Sequence, residues 1–141
     1  MGEVFRTRRL VEFSDTDMAG IAHFSAFFRW MEAAEHEFLR SLGYSIFDKA
    51  AEGHAVSFPR VNATCDYRSP AHCVDTLDIE VTVARLGSKS VTYAFHFLRG
   101  DQAIADGKMT SVCCKMTAGE PPQPTPIPGD MAESLRPFVV A

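Results

Sequence analysis

The sequence predicts an α+β fold in which a curved antiparallel sheet wraps around one long apolar helix. Two observations carry that prediction. A single segment, from about Ser25 to Leu42, has helical periodicity. Every later segment of comparable apolar content alternates with a period of two or is bounded by turn residues, so strands follow strands with no second convincing helix between them. One helix and a twisted antiparallel sheet bury their apolar faces together when the sheet curls about the helix.

The elements follow in order. Residues Val4 to Phe13 form the first strand, with Phe5, Thr7, Arg9, Val11 and Phe13 on one face and Arg6, Arg8, Leu10 and Glu12 on the other. Ser14 to Ala22 is a loop containing Gly20. In the helix, Phe27, Phe28, Met31, Ala34, Phe38 and Leu42 recur at three- and four-residue steps, while Ala26, Ala33 and Leu39 widen the apolar surface. Gly43 is a C-terminal stop. The next strand is Ala55 to Tyr67, with an edge or bulge at Pro59. Leu77, Ile79, Val81 and Val83 then alternate with polar residues, Gly87-Ser88-Lys89 turns the chain, and Val91, Tyr93, Phe95 and Phe97 alternate in the return strand. A turn at Gly100-Asp101 leads into the last strand, Gln102 to Met116, with an interruption expected near Asp106-Gly107. The expected order is therefore β-α-β-β-β-β. A proline-rich stretch from about residue 119, holding five prolines between Glu120 and Pro128, reads as a surface tail outside any sheet, and Met131 to Leu135 as a last helical turn.

A chain of 141 residues fits one domain, taken as residues 1–141, and buries enough surface to need no disulfide or metal staple. Hydrophobic residues at 46% and charged residues at 23% exclude a disordered chain or a collagen. The net charge of -4 gives no general attraction for nucleic acid or anionic lipid. No apolar run is long enough to span a membrane, and Met1 to Arg6 has no signal-peptide character, so a cytoplasmic protein is expected. Cys65, Cys73, Cys113 and Cys114 lack CxxC spacing and are read as reduced residues of the sheet.

Chemistry concentrates between the first strand and the helix. Asp15, Asp17, Gly20 and His23 all precede a helix start. Free backbone N–H groups and a positive dipole end at such a start hold a phosphate or an oxyanion, and a carboxylate nearby serves as base or nucleophile. The alternative is that both carboxylates are turn and capping residues. Glu32, Glu35 and His36 form a solvated or interface-facing patch on the helix, and His54, His72 and His96 lack ligand spacing.

The run Asp15-Thr16-Asp17-Met18-Ala19-Gly20-Ile21-Ala22-His23-Phe24, followed by Phe27-Phe28-Arg29-Trp30-Met31-Glu32, resembles the hotdog-fold acyl-CoA thioesterases of the 4-hydroxybenzoyl-CoA thioesterase family. Asp66 to Ala71 and Arg85 to Val91 are similar to the family's strand exit and central hairpin, so the resemblance covers residues 4 to 118. It implies a hotdog fold, hydrolysis of acyl-CoA to a carboxylic acid and CoA, and no metal or redox cofactor. It makes Asp17 the nucleophile or general base, and the Phe24 N–H the donor to the thioester carbonyl. Gly20 is then the residue that lets the loop backbone approach the substrate. His23 lies one residue before the position where many relatives carry Tyr or His, which leaves the backbone role at Phe24. CoA phosphates need cations, and Arg85, Lys89 and Arg60 are the candidates. Edge pairing makes a homodimer the expected assembly, and the resemblance implies a homotetramer, as a dimer of dimers, as the other expected form. Two rival readings are a hotdog hydratase or dehydratase using Asp17 and His23, and a non-catalytic acyl-CoA binding module.

Overall fold

The computed structural model describes residues 2–44 and 56–140. Its elements are β1 (Phe5–Leu10), α1 (Ala26–Ser41), β2 (Val56–Ser57), β3 (Arg60–Tyr67), β4 (Thr76–Leu86), β5 (Ser90–Arg99), β6 (Gln102–Val112), β7 (Cys114–Lys115), β8 (Gln123–Pro124) and α2 (Gly129–Leu135). Five strands form an antiparallel sheet in the order β1-β4-β5-β6-β3, and α1 packs on one face of it. Among the described residues no helix is long and apolar enough to cross a membrane.

Register gives the sheet two distinct ends. Leu10 lies opposite Thr76, Arg99 opposite Gln102 and Tyr67 opposite Ala105, so these residues share the end from which the chain enters the Asp17 loop. Leu86 pairs with Val91, Ser90 with Val112 and Arg60 with Ser111 at the other end, where the β4–β5 turn lies. The two ends are separated by the length of β4, 11 residues, or about 35 Å at the usual strand rise.

The alternation expected in β1 holds through Leu10, and the buried set Leu77, Ile79, Val81 and Val83 is as read from β4. Thr7 and Arg9 face inward because Glu37 on α1 receives both: the Thr7 hydroxyl donates to its carboxylate at 2.6 Å and the Arg9 guanidinium pairs with it. Phe13 leaves the strand for a 3-10 turn, Phe13–Asp15, and is exposed. The helix is Ala26–Ser41, with Ser25 and Leu42 at its caps.

Several expectations need correction. The segment Ala55 to Tyr67 is not one strand: the chain breaks at Pro59, β2 pairs with β7, and β3 joins the main sheet with a bulge between Arg60 and Asn62. Ala55 and His54 lie outside the described residues. Strand β6 runs unbroken through Asp106-Gly107 and ends near Cys113 instead. Gly107 serves helix packing, since a Cβ there would sit 2.2 Å from Met31 Sδ. The proline-rich stretch does join a sheet: β8 pairs with the edge of β7, where Pro124 supplies only its carbonyl and Thr125 N–H donates to Cys113 O at 2.8 Å. Nor is it a superficial tail. Ile127, Met131 and Leu135 are buried in the same core as α1, and Phe138 stacks edge-on against Phe38 at 4.7 Å. Glu35 is buried, at 5% exposure, rather than solvated.

Candidate active site

The Asp17 loop is a small hairpin of its own. Thr16 bridges Ala22, the Asp17 N–H donates to Ile21 O at 2.9 Å, and the His23 N–H donates to Asp15 O at 2.7 Å. A second turn braces it: Ile21 bridges His72, and the Ala22 N–H donates to Ala71 O at 2.8 Å. Gly20 has φ of +81°, and a Cβ added to it would touch nothing within 4 Å. The glycine is required here by its left-handed backbone.

The two aspartates separate in role. Asp15 Oδ2 accepts the Glu12 N–H at 2.9 Å in a capping box, and its other oxygen faces Arg29. Asp17 is exposed at the loop tip, with Oδ1 accepting the Ala19 N–H at 2.8 Å and the Ile21 N–H at 3.4 Å. Among the described residues its Oδ2 has no protein donor. That leaves one oriented carboxylate oxygen available to an incoming group.

The helix start is oriented by side chains. His23 Nδ1 accepts the Ser25 N–H at 3.2 Å and lies 2.8 Å from Ser25 Oγ, while its ring stacks on Phe24 at 4.4 Å. Phe24 is 63% exposed, and among the described residues its N–H has no acceptor. Its carbonyl accepts the Tyr67 hydroxyl at 2.8 Å. Asp17 and Phe24 thus belong to one compact unit, with a free carboxylate oxygen and a free amide N–H.

The three expected phosphate ligands part company. Arg60 is bidentate to Glu35, at 2.9 and 3.2 Å, and reaches Glu32 at 3.4 Å. Burial works against its charge, but the hydrogen bonds and field of Glu35 and Glu32 outweigh it and hold Arg60 cationic. Its donors are spent on α1. Arg85 and Lys89 are exposed at the β4–β5 end, and among the described residues neither side chain has a partner. Both lie at the end of the sheet opposite the Asp17 loop of the same chain.

Sequence reasoning did not join Tyr67 to the Phe24 carbonyl, and it missed the clamp on the bracing turn. There Asp75 accepts the His72 N–H at 2.8 Å and the Arg99 guanidinium at 2.6 Å. The only available signal was Asp75, a turn-forming residue beside Val74, which adopts a φ of 66°.

The family model for the thioesterase-like superfamily matches residues 11–135. The chain belongs to that superfamily. The match extends past the expected limit at residue 118 and takes in α2. A 1,4-dihydroxy-2-naphthoyl-CoA hydrolase from Prochlorococcus marinus (strain MIT 9313) is 35% identical over 104 residues, covering 70% of this chain and 69% of that protein. A gentisyl-coenzyme A thioesterase of known structure is 30% identical with a TM-score of 0.76, covering 92% of this chain and 98% of the other. In fold the chain is similar to a 1,4-dihydroxy-2-naphthoyl-CoA thioesterase from Synechocystis, with a TM-score of 0.85 at 24% identity, covering 95% and 96% of the two chains. The thioesterase resemblance carried by the Asp17 motif is borne out, and with it the reading of the chain as an acyl-CoA thioester hydrolase.

Proposed function

We propose that this chain hydrolyses acyl-CoA thioesters through Asp17, with the Phe24 N–H as the oxyanion donor. The observation that carries the reading is the pairing of an exposed carboxylate oxygen on Asp17 with an unbonded amide at the start of α1. Attack on the thioester carbonyl builds negative charge on its oxygen. A preformed N–H at a helix start stabilises that charge without reorganisation. Asp17 either takes a proton from the attacking water, or attacks the carbonyl carbon itself to give an aspartyl anhydride that water then cleaves to free the acid and regenerate Asp17; in both cases the C–S bond breaks and the thiolate of CoA leaves. His23 is spent on orienting the helix start through Ser25, so we give it a positioning role. Gly20 keeps the loop in the conformation that presents Asp17.

The acyl group we propose is aromatic. Two of the relatives at 30% identity or above, a 1,4-dihydroxy-2-naphthoyl-CoA hydrolase and a gentisyl-coenzyme A thioesterase, are named for aromatic acyl-CoA substrates, and Phe27, Trp30 and Phe97 form an aromatic cluster beside Tyr67. We read the described chain as one hotdog domain whose sheet wraps α1, with the C-terminal segment in the same core. The reaction belongs in the cytoplasm, where the four free thiols stay reduced.

We further propose a homodimer, formed through β3. The outer edges of the sheet are β1 and β3. β1 is guarded by the outward-facing Arg6 and Arg8, whereas β3 exposes Val61, Asn62, Ala63 and Thr64 without a charge among them. Antiparallel pairing of two β3 strands sets each chain's Arg60 end beside its partner's Tyr67 end. That brings the hairpin with Arg85 and Lys89 to the partner's Asp17 loop, which no single chain does. Two such dimers stacking into a tetramer is the next step of the same proposal.

The test is thiol release from a panel of aromatic and aliphatic acyl-CoAs, followed by colorimetric thiol detection. Rapid release from aromatic members is expected, and turnover of none would overturn the reading.

A further inference from the structure

We infer that Tyr67 is a positioning residue for the oxyanion donor, acting through the backbone of Phe24. The inference rests on the proposed role of the Phe24 N–H and adds a residue from a distant strand to it. Phe24 lies one residue before the N-cap Ser25, so its carbonyl has no partner within the helix. The first-turn Phe28 N–H donates to the cap carbonyl, Ser25 O, at 3.2 Å. The Phe24 carbonyl is left to the phenol of Tyr67, at 2.8 Å across 43 positions of sequence.

Three features make this contact a tether rather than an incidental surface bond. The Tyr67 ring is held edge-on against Phe27 at 5.3 Å, and Phe27 in turn packs edge-on against Trp30 and Phe97 in the core. The hydroxyl therefore sits on a ring whose direction is set by buried aromatics. Burial, reinforced by the neighbouring Cys65, pushes the phenol up to about 12, so it stays a hydrogen-bond donor over the whole working range. Finally, Phe24 is otherwise loosely held: its side chain is 63% exposed, and among the described residues its N–H has no acceptor. Between the His23 contact to Ser25 on one side and Tyr67 on the other, residue 24 is fixed in direction. An oxyanion donor must be aimed before charge develops to be effective. An amide that wanders needs reorganisation in the transition state, and the loss falls on kcat.

Tyr67→Phe removes the hydroxyl and keeps the ring against Phe27. We expect kcat to fall about tenfold, the scale of one hydrogen bond, with KM within twofold. A non-hydrolysable ketone analogue, with methylene in place of the thioester sulfur and a 13C carbonyl, gives a second readout. Its infrared carbonyl band in the wild-type complex should lie at lower frequency than in the Tyr67→Phe complex, reporting the stronger hydrogen bond. Tyr67→Met lacks both ring and hydroxyl and should lose about as much kcat as Tyr67→Phe. Wild-type kcat and an unmoved carbonyl band in Tyr67→Phe would overturn the inference. So would a large loss confined to Tyr67→Met, which would assign the role to packing. Absence of thiol release from wild-type protein would instead overturn the functional reading on which it rests.

Discussion

Asp15 and Asp17 sit two residues apart and have opposite commitments. Asp15 closes a capping box with Glu12 and faces Arg29, while Asp17 presents an oxygen that no protein donor among the described residues occupies. Asp17→Asn keeps the acceptor for the Ala19 N–H, so the loop should keep its shape. It removes the nucleophile or base, and kcat should fall by about 10²-fold or more. Asp15→Asn also keeps an acceptor for the Glu12 N–H, and its kcat should change far less. Steady-state kinetics on both variants, with circular dichroism to check the fold, decides between them; near-wild-type turnover in Asp17→Asn would remove the mechanism. The Asp17 motif was legible because its residues are adjacent in the chain. Tyr67 was not legible as a partner of Phe24, because nothing local in a strand exit says which carbonyl its hydroxyl will meet.

At the scale of elements, the bracing turn between β3 and β4 is held by Asp75. The His72 N–H, followed by the Arg99 guanidinium, holds the Asp75 carboxyl below its ordinary value against the opposing effect of burial. The turn also carries Val74 at a φ of 66°, a conformation that a β-branched residue adopts only under constraint. Its N–H donates to Val11 O at 2.7 Å, so the strain is held by the junction of β1 and β4. The sign for pH follows from the depressed carboxyl. Its stabilisation is fully present above the unfolded value, about 3.9 for Asp, and is lost as pH falls through the lower folded value. Asp75→Asn should therefore be less stable than wild type at pH 6, and the gap should narrow at pH 3. Urea midpoints at the two pH values measure it, and an equal gap at both would rule out a contribution from the charged carboxylate. Local signals explain what was legible here. Periodicity found α1 to within a residue at each end, and alternation found β4. Gly107 misled because a glycine in a strand reads as a break when its purpose is the approach of Met31, a contact set only in the folded chain. The prolines misled in the same way, since an edge position tolerates the missing donor.

At the scale of the whole molecule, the strand register makes a prediction that no single residue does. Lys89 and the Asp17 loop of one chain lie at opposite ends of the sheet. If Lys89 binds the CoA phosphates, it does so for the partner's site. Phosphate contacts persist from substrate to transition state, so Lys89→Ala should raise KM and leave kcat largely intact, with a weaker salt dependence than wild type. Arg85→Ala should shift KM in the same direction. The arrangement in trans is tested by mixing chains. In a hybrid dimer of one Asp17→Asn chain and one Lys89→Ala chain, the Lys89→Ala chain supplies an intact Asp17, and its partner supplies an intact Lys89 to that same site. One site per dimer is then fully wild type and the other is doubly defective. Co-expression with two different affinity tags and tandem purification isolates the hybrid. Its expected behaviour is a wild-type KM with about half the wild-type kcat per dimer, from one restored site of two. Were Lys89 to act within its own chain, the hybrid's active site would lack it, and the raised KM of the Lys89→Ala parent would persist. A hybrid that keeps the raised KM therefore refutes the β3-paired assembly as the carrier of the phosphate site, whereas a wild-type KM is reached only when the two halves of the site come from different chains.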